Sequence, residues 1–511
     1  MGNTEPAGAS GARGGEDLPS APGPPAAGGA VAWAGRLCAP PGALLTYLLL
    51  PAGAGGLTSE ARAPAAAVVL MAILWMTEAM PLAATALIPV VAFPLVGALS
   101  LAEATAAYAD PVIFLFLGGF LIARAMERWG LHRRIALAVL VRAGDRPAAI
   151  VAGFMLATAS LSMWISNTAT VVMMFPIALT VIAIVDADSE RSDRGTFAIC
   201  LMLAVAYSAS IGSVATLIGT PPNLLLRAFV EEQYGITIGF GQWMLVGVPL
   251  AALMLPVAWA LLLRVHPPGR DRLSGGRAAL RARREALGPM SAGERVVAVV
   301  FAGVVAAWVL RGPLTSWDAA LASAPWLADV SDPGIAMAGA LVLFAIPLSP
   351  RRGVFVLDWE QARGLPWGIL ILVGGGLSLA AAVRANGLDA WVGEGLHGLG
   401  ALPALGLLVA VAAVMILLTE VTSNTATAAT LLPVLAGVAL AIGVDPLDLL
   451  VPAALAASCA FMMPVATPPN AVVFASGRLT VGQMVRAGVL LNVAGVVLIA
   501  LVCTLLVPRV F

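Results

Sequence analysis

Apolar residues in this chain come in long runs separated by short polar or arginine-bearing stretches, and the length of the runs carries the structural information. They occupy about 41–57, 64–79, 82–99, 112–123, 148–182, 197–230, 241–263, 296–311, 333–348, 367–383, 402–440, 449–477 and 484–508. A membrane-crossing helix needs about 20 predominantly apolar residues, so a series of such runs predicts transmembrane helices. Two runs, 148–182 and 402–440, are too long for one crossing and carry a polar cluster midway. They read as re-entrant hairpins that enter and leave on one side, which leaves eleven crossings. The expected fold class is an all-α polytopic membrane protein with 11 transmembrane segments plus two re-entrant hairpins.

The arginines give this series a direction. Arg124, Arg128, Arg133, Arg134, Arg142 and Arg146 fall in one connection, and Arg264, Arg270, Arg272, Arg277, Arg281, Arg283, Arg284 and Arg295 in another. Arg351, Arg352 and Arg363 mark a third basic loop, and Arg478 and Arg486 a fourth. The connections 231–240, 312–332 and 441–448 carry Glu or Asp and no Arg. With eleven crossings and the N-terminus inside, all four basic loops are cytoplasmic, as the positive-inside rule asks, and the C-terminus is outside. The expected organisation is a disordered cytoplasmic tail at 1–35, without the apolar core of a signal peptide, and a first repeat at 36–265. An Arg-rich cytoplasmic linker at 266–294 and a second repeat at 295–511 follow. The linker reads as a solvated connection or a contact for lipid headgroups.

Composition agrees with the pattern and removes several functions. The 511 residues are 60% hydrophobic and 11% charged, with a mean hydropathy of +0.96, far from the balance of a soluble domain. Membrane helices tolerate the 53 Gly and 36 Pro. A formal net charge of zero argues against nucleic-acid binding. The chain has no Lys, which excludes Schiff-base and lysine-base chemistry. Cys38, Cys200, Cys459 and Cys503 stand apart from one another, so neither a disulfide framework nor a zinc site is expected. His132, His266 and His397 lie near segment ends and read as solvated or interfacial. An intramembrane enzyme would need a nucleophile–base pair or metal ligands inside spans, and neither HExxH nor GxSxG is present.

Within this apolar background one pattern recurs. Ser166-Asn167-Thr168-Ala169-Thr170 is repeated as Ser423-Asn424-Thr425-Ala426-Thr427, each copy midway along a hairpin-length run. Each is followed by a second shared element, Thr220-Pro221-Pro222-Asn223 and Thr467-Pro468-Pro469-Asn470. Five crossings separate the copies, and an odd number turns the second half upside down relative to the first. That is an inverted repeat, a common way for secondary transporters to build a midplane site. Asn offers a donor and an acceptor, and Ser and Thr offer hydroxyls. Pro-Pro inside an apolar run interrupts the helix and frees backbone groups at membrane depth, tolerated only where protein or solute satisfies them. A helix starting at such a break favours an anion, and one ending there offers carbonyls to a small cation. The motifs hold no Arg, so an anion bound there needs helix N-termini, amides, hydroxyls and co-bound cations. A lone Ser-Asn-Thr would more often just bond nearby backbone; a doubled, inverted, proline-flanked pair points to a site.

These residues resemble the divalent anion/sodium symporter (DASS) family of di- and tricarboxylate transporters. Leu161-Ser162-Met163-Trp164-Ile165-Ser166-Asn167-Thr168-Ala169-Thr170 is similar to that family's first hairpin tip, and Leu418-Thr419-Glu420-Val421-Thr422-Ser423-Asn424-Thr425 to its second. Trp75-Met76-Thr77-Glu78-Ala79-Met80-Pro81 and Phe114-Leu115-Phe116-Leu117-Gly118-Gly119-Phe120 resemble its early segments, and the likeness spans roughly 64–505. The resemblance implies an elevator-type homodimer in a bacterial-type inner membrane, Na+ as coupling ion and no organic cofactor. It implies substrate contacts from Asn167, Thr168, Thr220, Ser423, Asn424, Thr425 and Thr467. One sodium site would use Ser162, Ser166, Asn167 and the backbone of Gly219, the other Thr419, Ser423, Asn424 and the backbone of Ala466.

The function expected is a sodium-coupled importer of di- or tricarboxylates such as succinate, malate, fumarate or citrate. A sodium-independent dicarboxylate exchanger and a sulfate transporter on the same fold stay open, because pocket size is not visible in a sequence. A channel would show conductance rather than saturable counterflow. Ser162 lies four residues before Ser166, and Thr419 four before Ser423, so each pair of hydroxyls could share a helix face near a tip. The alternative is that each hydroxyl bonds the carbonyl one turn back. Glu78 and Glu420 are ionisable groups at membrane positions. For Glu420, proton coupling and a structural hydrogen-bonding role are both open.

Overall fold

A computed structural model describes residues 29–50, 61–188, 194–268, 276–388, 391 and 403–511. Most of the expected tail, part of the linker and His397 lie outside these residues. Among the described residues eight helices are long and apolar enough to cross a membrane, joined by shorter apolar helices such as Arg62–Met76, Pro147–Ser162, Asp332–Ala345 and Pro446–Ala457. A small antiparallel ribbon, Pro347–Ser349 against Val354–Phe355, closes the third basic loop.

The apolar runs divide where the polar motifs fall. The run 148–182 becomes helix Pro147–Ser162, a break at 163–166, and helix Asn167–Asp188. The run 402–440 becomes helix Ala404–Thr419, a break at 420–423, and helix Asn424–Ile442. The runs carrying Thr-Pro-Pro-Asn are divided too. Arg194–Ser213 and Pro221–Tyr234 flank an irregular stretch at 214–220, and Pro446–Ala457 and Pro468–Phe474 flank one at 458–467. Proline occupies the first helical position after both irregular stretches, where its missing N–H leaves nothing unpaired.

Burial separates enclosed helices from peripheral ones. In Gly195–Ser213, 89% of the apolar window is buried within the protein, against 17% in Ala292–Thr315. A helix apolar on every face and enclosed on every face belongs to the core. Small residues let its neighbours come close. A Cβ on Gly212 would lie 2.3 Å from the Ala159 carbonyl oxygen, so helix Pro147–Ser162 rests directly on this helix. Gly118 plays the same part where Pro111–Trp129 crosses Asp332–Ala345, a Cβ there coming within 2.6 Å of the Ala336 backbone.

Several polar expectations change in three dimensions. Glu78 sits exposed at the end of helix Arg62–Met76 with φ 47°, among the described residues the one non-glycine residue with positive φ. It belongs to a turn and not to the broken-helix centre. His132 is buried and its Nδ1 lies 2.9 Å from the Met126 carbonyl, and burial holds its pKa below the usual histidine value. His266 is buried as well, its Nε2 3.3 Å from the Gln483 carbonyl. Of the solvated and interfacial readings, burial excludes the solvated one, because a lone histidine near a segment end carries no sign of the neighbour that covers it. In the linker, Gly276–Ala286 is helical and Arg283 Nη2 donates to Thr180 Oγ1 at 2.6 Å. Asp332, 1% exposed, takes buried Arg227 and half-buried Arg311, each at 3.3 Å, and so ties helix Pro221–Tyr234 to the surrounding helices.

The Gly212 contact generates a prediction. Gly212→Ala drives a methyl into the Ala159 backbone and should destabilise the fold by about 1–3 kcal/mol. Thermal unfolding of the detergent-purified protein checks this, and a wild-type midpoint would mean that the two helices are not in such close contact.

Candidate functional site

Each Ser-Asn-Thr motif lies where one helix ends and the next begins. Helices end at Ser162 and at Thr419, and new helices begin at Asn167 and at Asn424. The serine thus stands across the break from the hydroxyl four residues earlier, and the two do not share one helix face. Ser423 is the N-cap of its helix, and Ser166 Oγ accepts from the Ala169 N–H at 3.3 Å. Asn167, Thr168, Ser423, Asn424 and Thr425 are half-buried and Ser166 is exposed, so the tips are reachable from outside the core. Thr220 and Thr467, 2% and 1% exposed, sit deeper as the residues before each Pro-Pro.

Ser162 and Thr419 behave alike. Ser162 Oγ donates to the Ala209 carbonyl at 2.7 Å, and Thr419 Oγ1 lies 3.0 Å from the Ala457 carbonyl. Each hydroxyl reaches the helix that follows its hairpin, not the carbonyl one turn back. Thr419 Oγ1 also lies 2.7 Å from Asn424 Oδ1, which draws the second motif's amide to the end of the preceding arm. A hydroxyl has one proton to give and two lone pairs, so both oxygens keep acceptor capacity for a cation.

The irregular stretches are held open by the asparagines of Thr-Pro-Pro-Asn. Asn223 Nδ2 donates to the carbonyls of Thr216 at 2.9 Å and Val214 at 3.4 Å. Asn470 Nδ2 donates to those of Met463 at 3.0 Å and Ala460 at 3.3 Å. Both side chains are fully buried, and the Oδ1 of each has no hydrogen-bond partner. The two asparagines were left out of the expected contact set, although their place in a repeated tetrapeptide was the signal that could have included them. Gly219 is required by close packing, since a Cβ there would meet the Ser213 carbonyl oxygen at 2.2 Å. Ala466 is buried and its N–H donates to the Met463 carbonyl at 3.2 Å.

The halves differ in how the hairpin tip is fastened to the irregular stretch beside it. In the first half Thr216 Oγ1 donates to the Met163 carbonyl. In the second half Glu420, 3% exposed, does the fastening with its side chain. Its Oε1 accepts from the N–H of Phe461 at 2.7 Å and of Met462 at 2.9 Å, and its Oε2 from Met462 at 3.1 Å and Met463 at 2.9 Å. Asn492 Nδ2 donates to Oε1 at 2.7 Å from helix Val481–Val510. Of the two roles open for Glu420 in the sequence, its contacts display the hydrogen-bonding one.

The two halves meet at this centre. Pro468–Phe474 packs against Asn167–Asp188 and Pro221–Tyr234 against Asn424–Ile442, so each proline-led helix rests on the helix that starts at the opposite half's Ser-Asn-Thr motif. Thr220 Oγ1 and Ser458 Oγ, 3.1 Å apart and both buried, join the halves directly. Helices Asn167–Asp188, Asn424–Ile442 and Pro221–Tyr234 begin at motif residues and bring the positive ends of their dipoles there. Helix ends at Ser162, Ser213, Thr419 and Ala457 supply carbonyls. Arg227, one turn beyond Asn223, is the nearest arginine in sequence and is committed to Asp332 and Glu231, at 3.3 and 3.8 Å. Among the described residues no group of His, Cys, Asp and Glu could hold a metal ion. The arrangement suits an anion held by neutral donors, together with small cations held by oxygens.

Broken helices meeting in the interior of a polytopic helical protein are how many secondary transporters build their binding site. The chain belongs to the sodium:sulfate symporter family, the divalent anion/sodium symporters: residues 33–508 match the family's "Sodium:sulfate symporter transmembrane region". Among curated proteins it is 40% identical over 442 residues to the "Sodium-dependent dicarboxylate transporter SdcS" of Staphylococcus aureus strain USA300, covering 85% of this chain and 84% of that protein. The same figures hold for the proteins of that name in strains MRSA252 and MSSA476. Among solved structures the YdaH transporter of Alcanivorax borkumensis shares the fold, with a TM-score of 0.52 and 15% identity over 94% of this chain and 97% of that one. The family consists of transporters and not enzymes.

The paired asparagine straps generate the second prediction. Asn223→Ala and Asn470→Ala each remove the amide donor of a buried carbonyl, Thr216 or Ala460, a loss of about 1–3 kcal/mol, while Val214 keeps Trp243 Nε1 and Met463 keeps the Ala466 N–H. Each should cut transport about fivefold or more while the protein still inserts. Uptake assays on variants at matched membrane levels check this, and wild-type rates would show that the straps are dispensable.

Proposed function

We propose that the protein imports small dicarboxylates such as succinate, malate or fumarate, driven by sodium. One observation carries the proposal: the motif residues offer amides, hydroxyls and helix N-termini but no arginine, in a chain without lysine. A dianion placed there meets partial positive charges only. Co-bound cations, held by the carbonyls and hydroxyls of the same breaks, supply the rest of the field. The name borne by relatives at 40% identity supports both the ion and the anion.

In this reading Asn167, Thr168, Thr220, Ser423, Asn424, Thr425 and Thr467 contact the carboxylate substrate. Ser162, Ser166, Asn167 and the Gly219 backbone hold one sodium ion. Thr419, Ser423, Asn424 and the Ala466 backbone hold the other. The two hairpins are re-entrant, eleven segments cross the bilayer, and the halves form an inverted repeat with the N-terminus cytoplasmic and the C-terminus outside. A homodimer provides the fixed frame, and the body carrying the motifs moves against it as an elevator. The acidic connections at 231–240 and 441–448 and the four arginine-bearing loops support the sidedness. The packing of each proline-led helix on the other half's hairpin arm supports a single shared site.

Uptake of labelled succinate by proteoliposomes, with and without an inward sodium gradient, tests the function. Concentrative uptake that needs the gradient is expected; succinate-for-succinate exchange indifferent to sodium would make the protein an exchanger, and accumulation of sulfate in preference to succinate would change the substrate. Asn167→Ala and Asn424→Ala should abolish uptake while the protein inserts normally, because alanine can serve neither anion nor cation; wild-type uptake by either would displace the site. Thr419→Ser should be nearly silent in sodium titrations, whereas Thr419→Val should raise the half-saturating sodium concentration. A Val variant that matches wild type would make Thr419 a packing residue.

A further inference from the structure

The two motif copies are identical over five residues, yet their surroundings are not, and the difference centres on Glu420. Its counterpart in the first half is Met163, four residues before Asn167 as Glu420 is four before Asn424. At Met163 only the backbone oxygen takes part, accepting from Thr216. At Glu420 both side-chain oxygens are engaged by three consecutive backbone N–H groups and one amide. Three successive amides turned towards one carboxylate form an anion-binding concavity built from the chain itself.

This has a geometric and an electrostatic consequence for the stretch 458–467. Its amides at Phe461, Met462 and Met463 face Glu420, while its carbonyls at Ala460 and Met463 are tied by Asn470. The stretch is therefore fixed from two sides, between the end of the Thr419 arm and the start of the Pro468 helix. The neighbouring residue, Thr419, reaches Asn424 Oδ1 and the Ala457 carbonyl from the same end of the arm. The carboxylate thus stands next in sequence to the hydroxyl of one proposed cation site. A methionine stands next to Ser162 in the other.

We infer that Glu420 is a positioning residue for the second cation site. Its carboxylate fixes the carbonyl-bearing stretch 458–467 and adds a negative charge that the first site lacks, so that the two sodium sites differ in strength and the second binds more tightly. This rests on the sodium-coupled reading above. Glu420 touches neither ion nor substrate; it acts through the backbone it holds and through its field. Asn492, with its amide committed to Oε1, keeps the carboxylate turned towards the stretch from helix Val481–Val510.

The test is a sodium titration of succinate uptake by the full-length protein in liposomes, at saturating succinate, for wild type, Glu420→Gln, Glu420→Asp and Asn492→Leu. Glutamine keeps the shape but replaces one acceptor oxygen by a donor that opposes the backbone N–H groups. Glu420→Gln should raise the half-saturating sodium concentration about tenfold or more, the loss expected when charge-assisted hydrogen bonds are removed. The succinate KM at saturating sodium should stay within about twofold. Glu420→Asp should restore part of the sodium affinity. Asn492→Leu, which leaves the carboxylate in place, should shift sodium dependence in the same direction by less and keeps the inference testable should Glu420→Gln not assemble. If the Gln or Leu variant lowers the maximal rate while the sodium dependence stays at wild type, Glu420 is a structural brace and the inference is overturned. Wild-type uptake indifferent to sodium would overturn the symport reading itself, which separates that failure from this one.

Discussion

Backbone cannot be left unpaired inside a membrane protein, and the centre of this one depends on that constraint. Each buried N–H or C=O without a partner costs several kcal/mol in an apolar medium. The chain nonetheless interrupts its helices at four places, 163–166, 214–220, 420–423 and 458–467. It can do so because side chains placed beside each interruption take the freed groups. Asn223 and Asn470 collect carbonyls, Glu420 collects N–H groups, and Ser162 and Thr419 bridge to carbonyls of the next helix. What those side chains leave over, the N-terminal N–H groups and free oxygen lone pairs, is what a solute can use.

The same economy of charge bears on the proposed coupling of anion to cation. Arg227 is buried near the centre but bound to Asp332, and Arg311 shares that carboxylate. Their positive charge is spent within the protein, so a doubly negative solute is left with neutral donors. In the proposed function, coupling anion entry to cation entry follows from this electrostatic deficit, and the empty site is a poor host for an anion.

Much of this centre was legible in the sequence because the repeat is written in residue types that disfavour membrane helices. Ser-Asn-Thr and Thr-Pro-Pro-Asn marked where the helices break, and hairpin-length apolar runs marked the arms around them. What could not be read was partnership across long sequence distances. Glu420 finds Asn492 and the 461–463 amides only after the chain folds, and Arg227 finds Asp332 in the same way. Periodicity also misled over Ser162 and Ser166: spacing of four implies one helix face only where the helix continues, and here it ends at Ser162. That His132 and His266 are covered and not solvated was hidden for a related reason, since burial near a segment end is decided by whatever packs over it.

The central claim is that bound cations supply the field that holds the anion. Equilibrium binding of succinate to the purified, non-transporting protein in detergent, measured calorimetrically across sodium concentrations with choline as replacement, tests it without any gradient. The account predicts that succinate affinity climbs more steeply than the first power of sodium concentration and that binding is lost in choline. Equal affinity in sodium and in choline would contradict it.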